Sequence, residues 1–246
     1  MSTAIAITSG KGGTGKTSLT GGVGSCLAAL GNRVLCIDMD VGLRNLDLSL
    51  GMSDRALMDF TDVLSGRTTL EKAAVPHPVI QGLYLLTAPL TAPRDAISEE
   101  ALRRFLAEAK EQFDYILMDA PAGLGLGFRL SVCGADRAIV VSTTDASALR
   151  DAQRTVCELS HTLQSLHLVV NRVQPRLLRQ LHSTIDDAMD AAGLPLLGVV
   201  PEDAQVMLAA NRGEPLILMA RYGAARAYLN IARRLTGMRV PLMPIR

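Results

Sequence analysis

The sequence predicts an α/β fold, a doubly wound and mostly parallel sheet with helices on both faces. Three observations predict it. Seven short β-branched or apolar runs recur between longer helical patterns, and strand and helix alternate from end to end with no Ser/Gly-rich linker, internal repeat or low-complexity stretch. Most of these runs are apolar on both sides, as strands covered by helices on two faces must be.

Strands are expected at 4–8 (AIAIT), 33–38 (RVLCID), 83–88 (LYLLTA), 115–119 (YILMD), 138–143 (AIVVST), 166–171 (LHLVVN) and 196–200 (LLGVV). Between them, Ser98 followed by Glu99 and Glu100 reads as a helix start. Leu102, Phe105, Leu106, Ala109 and Phe113 then form one apolar stripe at helical spacing. A similar pattern runs from about 146 to 163. The last helix, containing LNIARRL, is expected to stop near Gly237, because Pro241 and Pro244 follow. The chain therefore reads as one domain, 1–246, with an extended tail from about 238.

The 246 residues, 48% hydrophobic and 20% charged, describe an ordinary folded, soluble protein with a real core. Formal net charge is +1, but 1–149 carry 13 basic against 16 acidic residues and 150–246 carry 12 against 8. The later excess is all arginine, which suits phosphate or acidic partners and leaves nonspecific DNA binding open. No concentrated Lys/Arg run supports that binding, aromatic content is 3%, and Trp is absent. Cys26, Cys36, Cys133 and Cys157 form no CxxC and sit in apolar contexts, so they are expected to be buried, reduced thiols. The start of the chain lacks a signal-peptide pattern and no apolar stretch approaches a membrane span, so a cytoplasmic protein is expected. No HExxH, GxSxG or metal-spaced histidine pair occurs, and His77, His161, His167 and His182 are expected to be surface or partly buried residues.

Chemistry concentrates in SGKGGTGKTS, Ser9 to Ser18. GKGGTG satisfies the dinucleotide pattern GxGxxG, but Gly10 to Thr17 is also GxxxxGKT, placed after an apolar strand and before a helix, and the phosphate loop is the more specific reading. Gly10, Gly12, Gly13 and Gly15, with Lys11 and Thr14 between them, let backbone N–H groups turn in around a β-phosphate. Lys16 reaches the β- and γ-phosphates, Thr17 offers its hydroxyl to Mg²⁺, and Ser18 lies in the first turn of the helix. Further oxygen ligands are sought where strands end, at Asp38 and Asp40 in CIDMD and at Asp119 in ILMDAPAG. A phosphate site needs one of the loop's two lysines, which leaves Lys11 unexplained.

KGGTGKT resembles the deviant Walker A motif of the MinD/ParA family of P-loop ATPases, whose extra lysine lies near the start of the loop. The resemblance is closest to the MinD branch and covers nearly the whole chain, to about residue 240. DMDVGLRNLDLSLG (38–51) is similar to its switch I, MDAPAG (118–123) to its switch II, and VVPED with NRGEPLI (199–217) to its late segments. It implies an ATP·Mg²⁺-dependent switch ATPase whose two subunits dimerise face to face, Lys11 completing the partner's site as an arginine finger does. It further implies that Asp40 positions the attacking water, that Asp38 and Asp119 organise Mg²⁺, and that Asn171, Pro201 and Asp203 surround adenine. ALRDAQR (148–154) resembles the helix surface that meets MinC and MinE, with Arg150 and Asp151 matching its RD pair.

The implied role is placement of the division site. The alternative is a ParA-like positioning ATPase acting on DNA or a polar protein complex. The branch usually ends in a basic amphipathic helix that folds onto the inner face of the membrane. TGMRVPLMPIR is too short and too broken by proline to supply one, so membrane binding is the expectation that this sequence supports least.

Overall fold

A computed structural model describes residues 2–53, 55–91 and 97–243. The chain runs β1 (Thr3–Thr8), α1 (Lys16–Ala29), β2 (Val34–Asp38), α2 (Leu46–Ser49), α3 (Phe60–Leu64), α4 (Leu70–Ala73), β3 (Val75–Pro76) and β4 (Leu83–Leu86). It continues through α5 (Glu99–Gln112), β5 (Tyr115–Asp119), α6 (Leu126–Val132), β6 (Arg137–Ser142), α7 (Ala146–Ser160), β7 (Ser165–Val173), α8 (Pro175–Gln180) and α9 (Ile185–Ala192). It ends with β8 (Leu196–Pro201), α10 (Ala204–Arg212), α11 (Leu216–Met219) and α12 (Gly223–Leu235).

Among the described residues, eight strands join one sheet in the order β3-β4-β2-β5-β1-β6-β7-β8. Every neighbouring pair is parallel except β3 with β4. The seven expected strands are present. β3 was not foreseen because two residues carry no periodic signal, and its proline suits an edge position.

Alternate side chains of each central strand feed opposite faces. Ala4, Ala6, Ile116 and Met118 enter one core, with Leu102, Phe105, Leu106 and Ala109 of α5 and Ala152 and Leu159 of α7. Ile5, Ile7 and Leu117 enter the other, with Leu19, Val23 and Leu27 of α1 and Tyr228 and Ile231 of α12. Ser98 caps α5, its hydroxyl accepting from Ala101 N at 3.1 Å. In α1, Gly22 admits the neighbouring helix: a Cβ there would lie 2.2 Å from the ring of Tyr228, which is 2% exposed.

Two expectations need correction. Cys26, Cys36 and Cys133 are buried, but Cys157 is exposed. Its helix turns Ala148, Ala152, Thr155 and Leu159 inward, and a residue two beyond Thr155 falls on the opposite side. His77 is buried rather than at the surface or partly buried, and its ring links three backbone groups: Nε2 meets Leu50 O at 3.0 Å, and Nδ1 accepts from Val79 N and Ile80 N at 3.1 and 2.9 Å.

α12 ends at Leu235, as the prolines beyond it suggest, and 238–243 contain neither helix nor strand. The rest of the expected tail lies outside the described residues. Among the described residues no helix is long and apolar enough to cross a membrane. Because the strands are parallel, their carboxyl ends open together. The chain leaves β1 for β2 on one side and the neighbouring β5 for β6 on the other, and the crevice at such a reversal is where open α/β sheets take ligands.

Candidate nucleotide-binding site

The loop between β1 and α1 enters that crevice. Gly15 precedes α1 in the left-handed region at φ +89°, and a Cβ there would lie 2.3 Å from Asn171 Nδ2. Gly13, at φ +77°, faces open space, with nothing within 4 Å of the position its Cβ would take. Thr14 between them is buried, and its Oγ1 has no hydrogen-bond partner among the described residues. A glycine-lined concavity with an orphaned hydroxyl at the N-terminus of a helix fits an oxyanion ligand.

Lys16 opens α1 and is only 8% exposed. Its Nζ donates to Ser9 Oγ at 2.9 Å, and Ser9 Oγ donates to Lys11 O at 2.6 Å. Burial lowers its pKa, while the charges of Asp119 and Asp40 oppose that shift. Thr17 and Ser18 follow, half-buried, in a first turn with no acidic side chain to compensate the helix end.

The carboxylates gather on the other side. Asp38 and Asp119 are register partners at the ends of β2 and β5. Asp119 is 2% exposed and accepts from the Thr17 hydroxyl and from Thr20 Oγ1, the latter at 3.2 Å. Burial pushes its carboxyl up to about 7, the charge of Asp38 adding to the shift and the Thr17 and Thr20 bonds and Lys16 opposing it. Burial also raises Asp38, to about 6. Both of its oxygens are engaged, Oδ1 with Asp40 N at 2.9 Å and Oδ2 with Leu46 N at 3.1 Å, so Asp38 holds both ends of the 40–45 loop. Asp40 is half-buried; burial raises its carboxyl and the charge of Lys16 pulls it back.

Among the described residues no three or more His, Cys, Asp or Glu side chains form a metal cage. Mg²⁺ at a phosphate site needs none, being held by one or two protein oxygens, phosphate oxygens and water. The Thr17 hydroxyl backed by Asp119 fits that chemistry, and two buried carboxyls with raised pKa values fit a nearby cation. Held by Thr17, with Asp119 behind it, a bound ion would supply positive charge against the nucleotide's phosphates.

Lys11 stands apart from Lys16. Its side chain is 44% exposed and donates to Asp145 Oδ1 at 3.2 Å and Ser147 Oγ at 2.8 Å, at the N-terminus of α7. Asp145 also caps α7 through Ala148 N at 3.1 Å. A hydrogen bond from the Thr143 hydroxyl, with Ser147, the Ala148 N–H and Lys11 adding to it, holds its carboxyl well below the usual range. The loop touches α7 a second time at Gly10, where a Cβ would lie 2.5 Å from Asp151 O. Arg150 is exposed and Asp151 is half-buried, 3.8 Å from Arg154.

At the far end, Asn171 Nδ2 donates to Thr14 O at 2.7 Å. Pro201 ends β8, and Asp203 accepts from Gln205 N and Ala224 N, each at 2.9 Å, joining the starts of α10 and α12. Asn171 thus reaches the phosphate loop itself, while Asp203 braces the edge of the crevice. Sequence reasoning missed Ser9, Thr20, Asp145 and Ser147. It also missed Arg172, which donates to Gly13 O at 3.2 Å, and Arg172's partner Glu202. Ser9 and Glu202 lie inside stretches already singled out, but the rest depend on contacts 99 or more residues apart or on a strand irregularity.

Residues 5–216 match the CobQ/CobB/MinD/ParA nucleotide binding domain. The chain belongs to that family. It is 41% identical over 246 residues to the septum site-determining protein MinD of Bacillus subtilis strain 168, covering 98% of this chain and 92% of that protein. A chain of the MinC:MinD cell division protein complex of Aquifex aeolicus superposes with a TM-score of 0.92 at 38% identity, covering 99% of each chain. The Pyrococcus horikoshii septum site-determining protein MinD, complexed with Mg-ADP, superposes with a TM-score of 0.84 at 30% identity, covering 96% of each.

Proposed function

We propose that the chain is a MinD-type ATPase of division-site placement, a single P-loop unit that binds ATP with Mg²⁺, dimerises in that state and is reset by hydrolysis. The observation that carries the reading is the separation of the two loop lysines. Lys16 is buried, bonded to Ser9 and influenced by the charges of Asp119 and Asp40, while Lys11 is exposed and held on Asp145 and Ser147. One lysine serves the chain's own phosphates and the other is free to serve a partner's. Likeness to MinD proteins over almost the full length supports the same reading, as does likeness to a chain of a MinC:MinD complex for a MinC-like partner.

In this reading Thr17 holds Mg²⁺ with Asp119 behind it. Asp40 aligns the water, Asp38 fixes the loop that carries Asp40, and Pro201 and Asp203 frame the base. The protein works in the cytoplasm and meets the inner membrane surface as a peripheral protein. Sedimentation with ATP·Mg²⁺ and ADP·Mg²⁺, with Lys16→Ala as control, tests it together with phosphate release and flotation on anionic vesicles. A dimer formed only by wild type in ATP, with Mg²⁺-dependent phosphate release, is the expected result. A monomer under all conditions, or phosphate release retained by Lys16→Ala, contradicts it.

A further inference from the structure

The β7–β8 ladder is irregular beside the phosphate loop. Val170 pairs with Val199 and Val173 with Pro201, so β7 carries one residue more than β8 between these pairs. This bulge contains Asn171 and Arg172, and Arg172 sits at φ +55°, a left-handed conformation that side-chain-bearing residues seldom adopt. The two side chains reach consecutive carbonyls of the loop. Arg172 Nη1 donates to Gly13 O at 3.2 Å and Asn171 Nδ2 to Thr14 O at 2.7 Å. The other side of the guanidinium forms a bidentate pair with Glu202, Nε to Oε2 at 2.8 Å and Nη2 to Oε1 at 3.2 Å. Glu202 lies between Pro201 and Asp203, and its backbone N–H donates to Val173 O at 3.0 Å across the bulge.

Carbonyls drawn outward leave the loop's N–H groups turned inward, the arrangement an anion requires. Stability alone gives little reason for an arginine here. The pair is exposed, with side chains 54% and 37% accessible, and exposed pairs contribute little to folding. Glycine would take the backbone conformation without strain. Bulges re-aim side chains next to active sites.

We infer that Arg172 is a positioning residue: braced by Glu202, it holds Gly13 O so that the phosphate loop is preorganised for a polyphosphate. This deepens the nucleotide-binding reading and rests on it. Arg172 acts on the loop and not on the base, so its removal weakens any polyphosphate ligand equally.

The test is calorimetric titration of wild type, Arg172→Gly, Arg172→Lys and Glu202→Gln with Mg²⁺ and either a non-hydrolysable ATP analogue or tripolyphosphate, alongside melting of the nucleotide-free proteins. Arg172→Gly is expected to melt at or above the wild-type temperature yet bind both ligands about 10-fold more weakly, the loss of one charge-assisted hydrogen bond. Arg172→Lys and Glu202→Gln are expected to lie between. If wild type binds neither ligand, the nucleotide reading itself fails. If wild type binds and Arg172→Gly binds equally well, only the positioning role fails. A loss confined to the ATP analogue makes Arg172 a base contact and also overturns it. If Arg172→Gly melts lower, the two variants that keep a side chain at 172 decide, and wild-type affinity in both overturns the role.

Discussion

Lys11 Nζ lies 3.2 Å from Asp145 Oδ1, joining the start of the phosphate loop to the cap of α7. Both groups are about half exposed, so the pair adds little to folding and is easily exchanged for another anion. In the proposed dimer the partner's nucleotide is that anion. In that proposal the pair is a resting position for Lys11, and leaving it is part of the cost of dimerisation.

Asp145→Asn tests this. The amide oxygen still caps Ala148 N, but the charge holding Lys11 is gone. ATP-dependent dimerisation measured by light scattering is expected to occur at a protein concentration about two- to five-fold lower, matching the two exposed pairs of a dimer at up to about 0.5 kcal/mol each. An unchanged midpoint means that Lys11 is not restrained by Asp145.

Gly22→Ala separates packing from propensity. Alanine ordinarily stabilises a helix interior by roughly 1 kcal/mol over glycine. Here the new Cβ meets the buried Tyr228 ring at 2.2 Å, so the variant is expected to lose about 1–3 kcal/mol in urea unfolding.

His77 sets a pH dependence. Burial lowers its pKa from 6.5, helped by the charge of Arg55 and opposed by the bond to Leu50 O. The unfolded chain therefore takes up the proton first as pH falls, and the contribution of His77 is complete above about pH 6.5 and declines below it. Because Asp38 and Asp119 have raised pKa values and titrate with the opposite sign, the measure is a difference. The melting advantage of wild type over His77→Gln is expected to shrink between about pH 7.5 and about pH 5.5.

Much of this was legible in the sequence, for physical reasons. Strands such as AIAIT and YILMD are buried on both faces and announce themselves without context, and the phosphate loop must use glycine where φ is positive, as at Gly13 and Gly15. What stayed hidden depends on register and distance. The single extra residue of β7 that turns Arg172 to Gly13 leaves no mark in LHLVVNRV. Nothing near Lys11 in sequence names Asp145 as its partner, and the full burial of His77 was hidden because its Nε2 partner, Leu50 O, lies 27 residues away. Asp38 was visible as a strand-end carboxylate, but its bonds to Asp40 N and Leu46 N, which brace the loop, were not.

Asp40→Ala and Lys11→Ala are expected to fail differently. Asp40→Ala should bind ATP and dimerise while turnover falls by about 10²- to 10⁴-fold, the usual scale for losing a group that handles the attacking water. Lys11→Ala should bind ATP with a melting temperature close to wild type, because its side chain is exposed, but lose both dimer and turnover. Equilibrium sedimentation and phosphate release distinguish the two.

The central claim is that Lys11 serves the other subunit's nucleotide, and mixing these two inactive variants tests it most directly. In a mixed dimer the Asp40→Ala subunit lends its Lys11 to the site of the Lys11→Ala subunit, which keeps Asp40. Phosphate release by the mixture, absent from either variant alone and rising with the fraction of mixed dimer, is the predicted result. A mixture as inactive as its parts, with mixed dimers demonstrated in the same sample, would contradict it and place Lys11 in its own subunit's site.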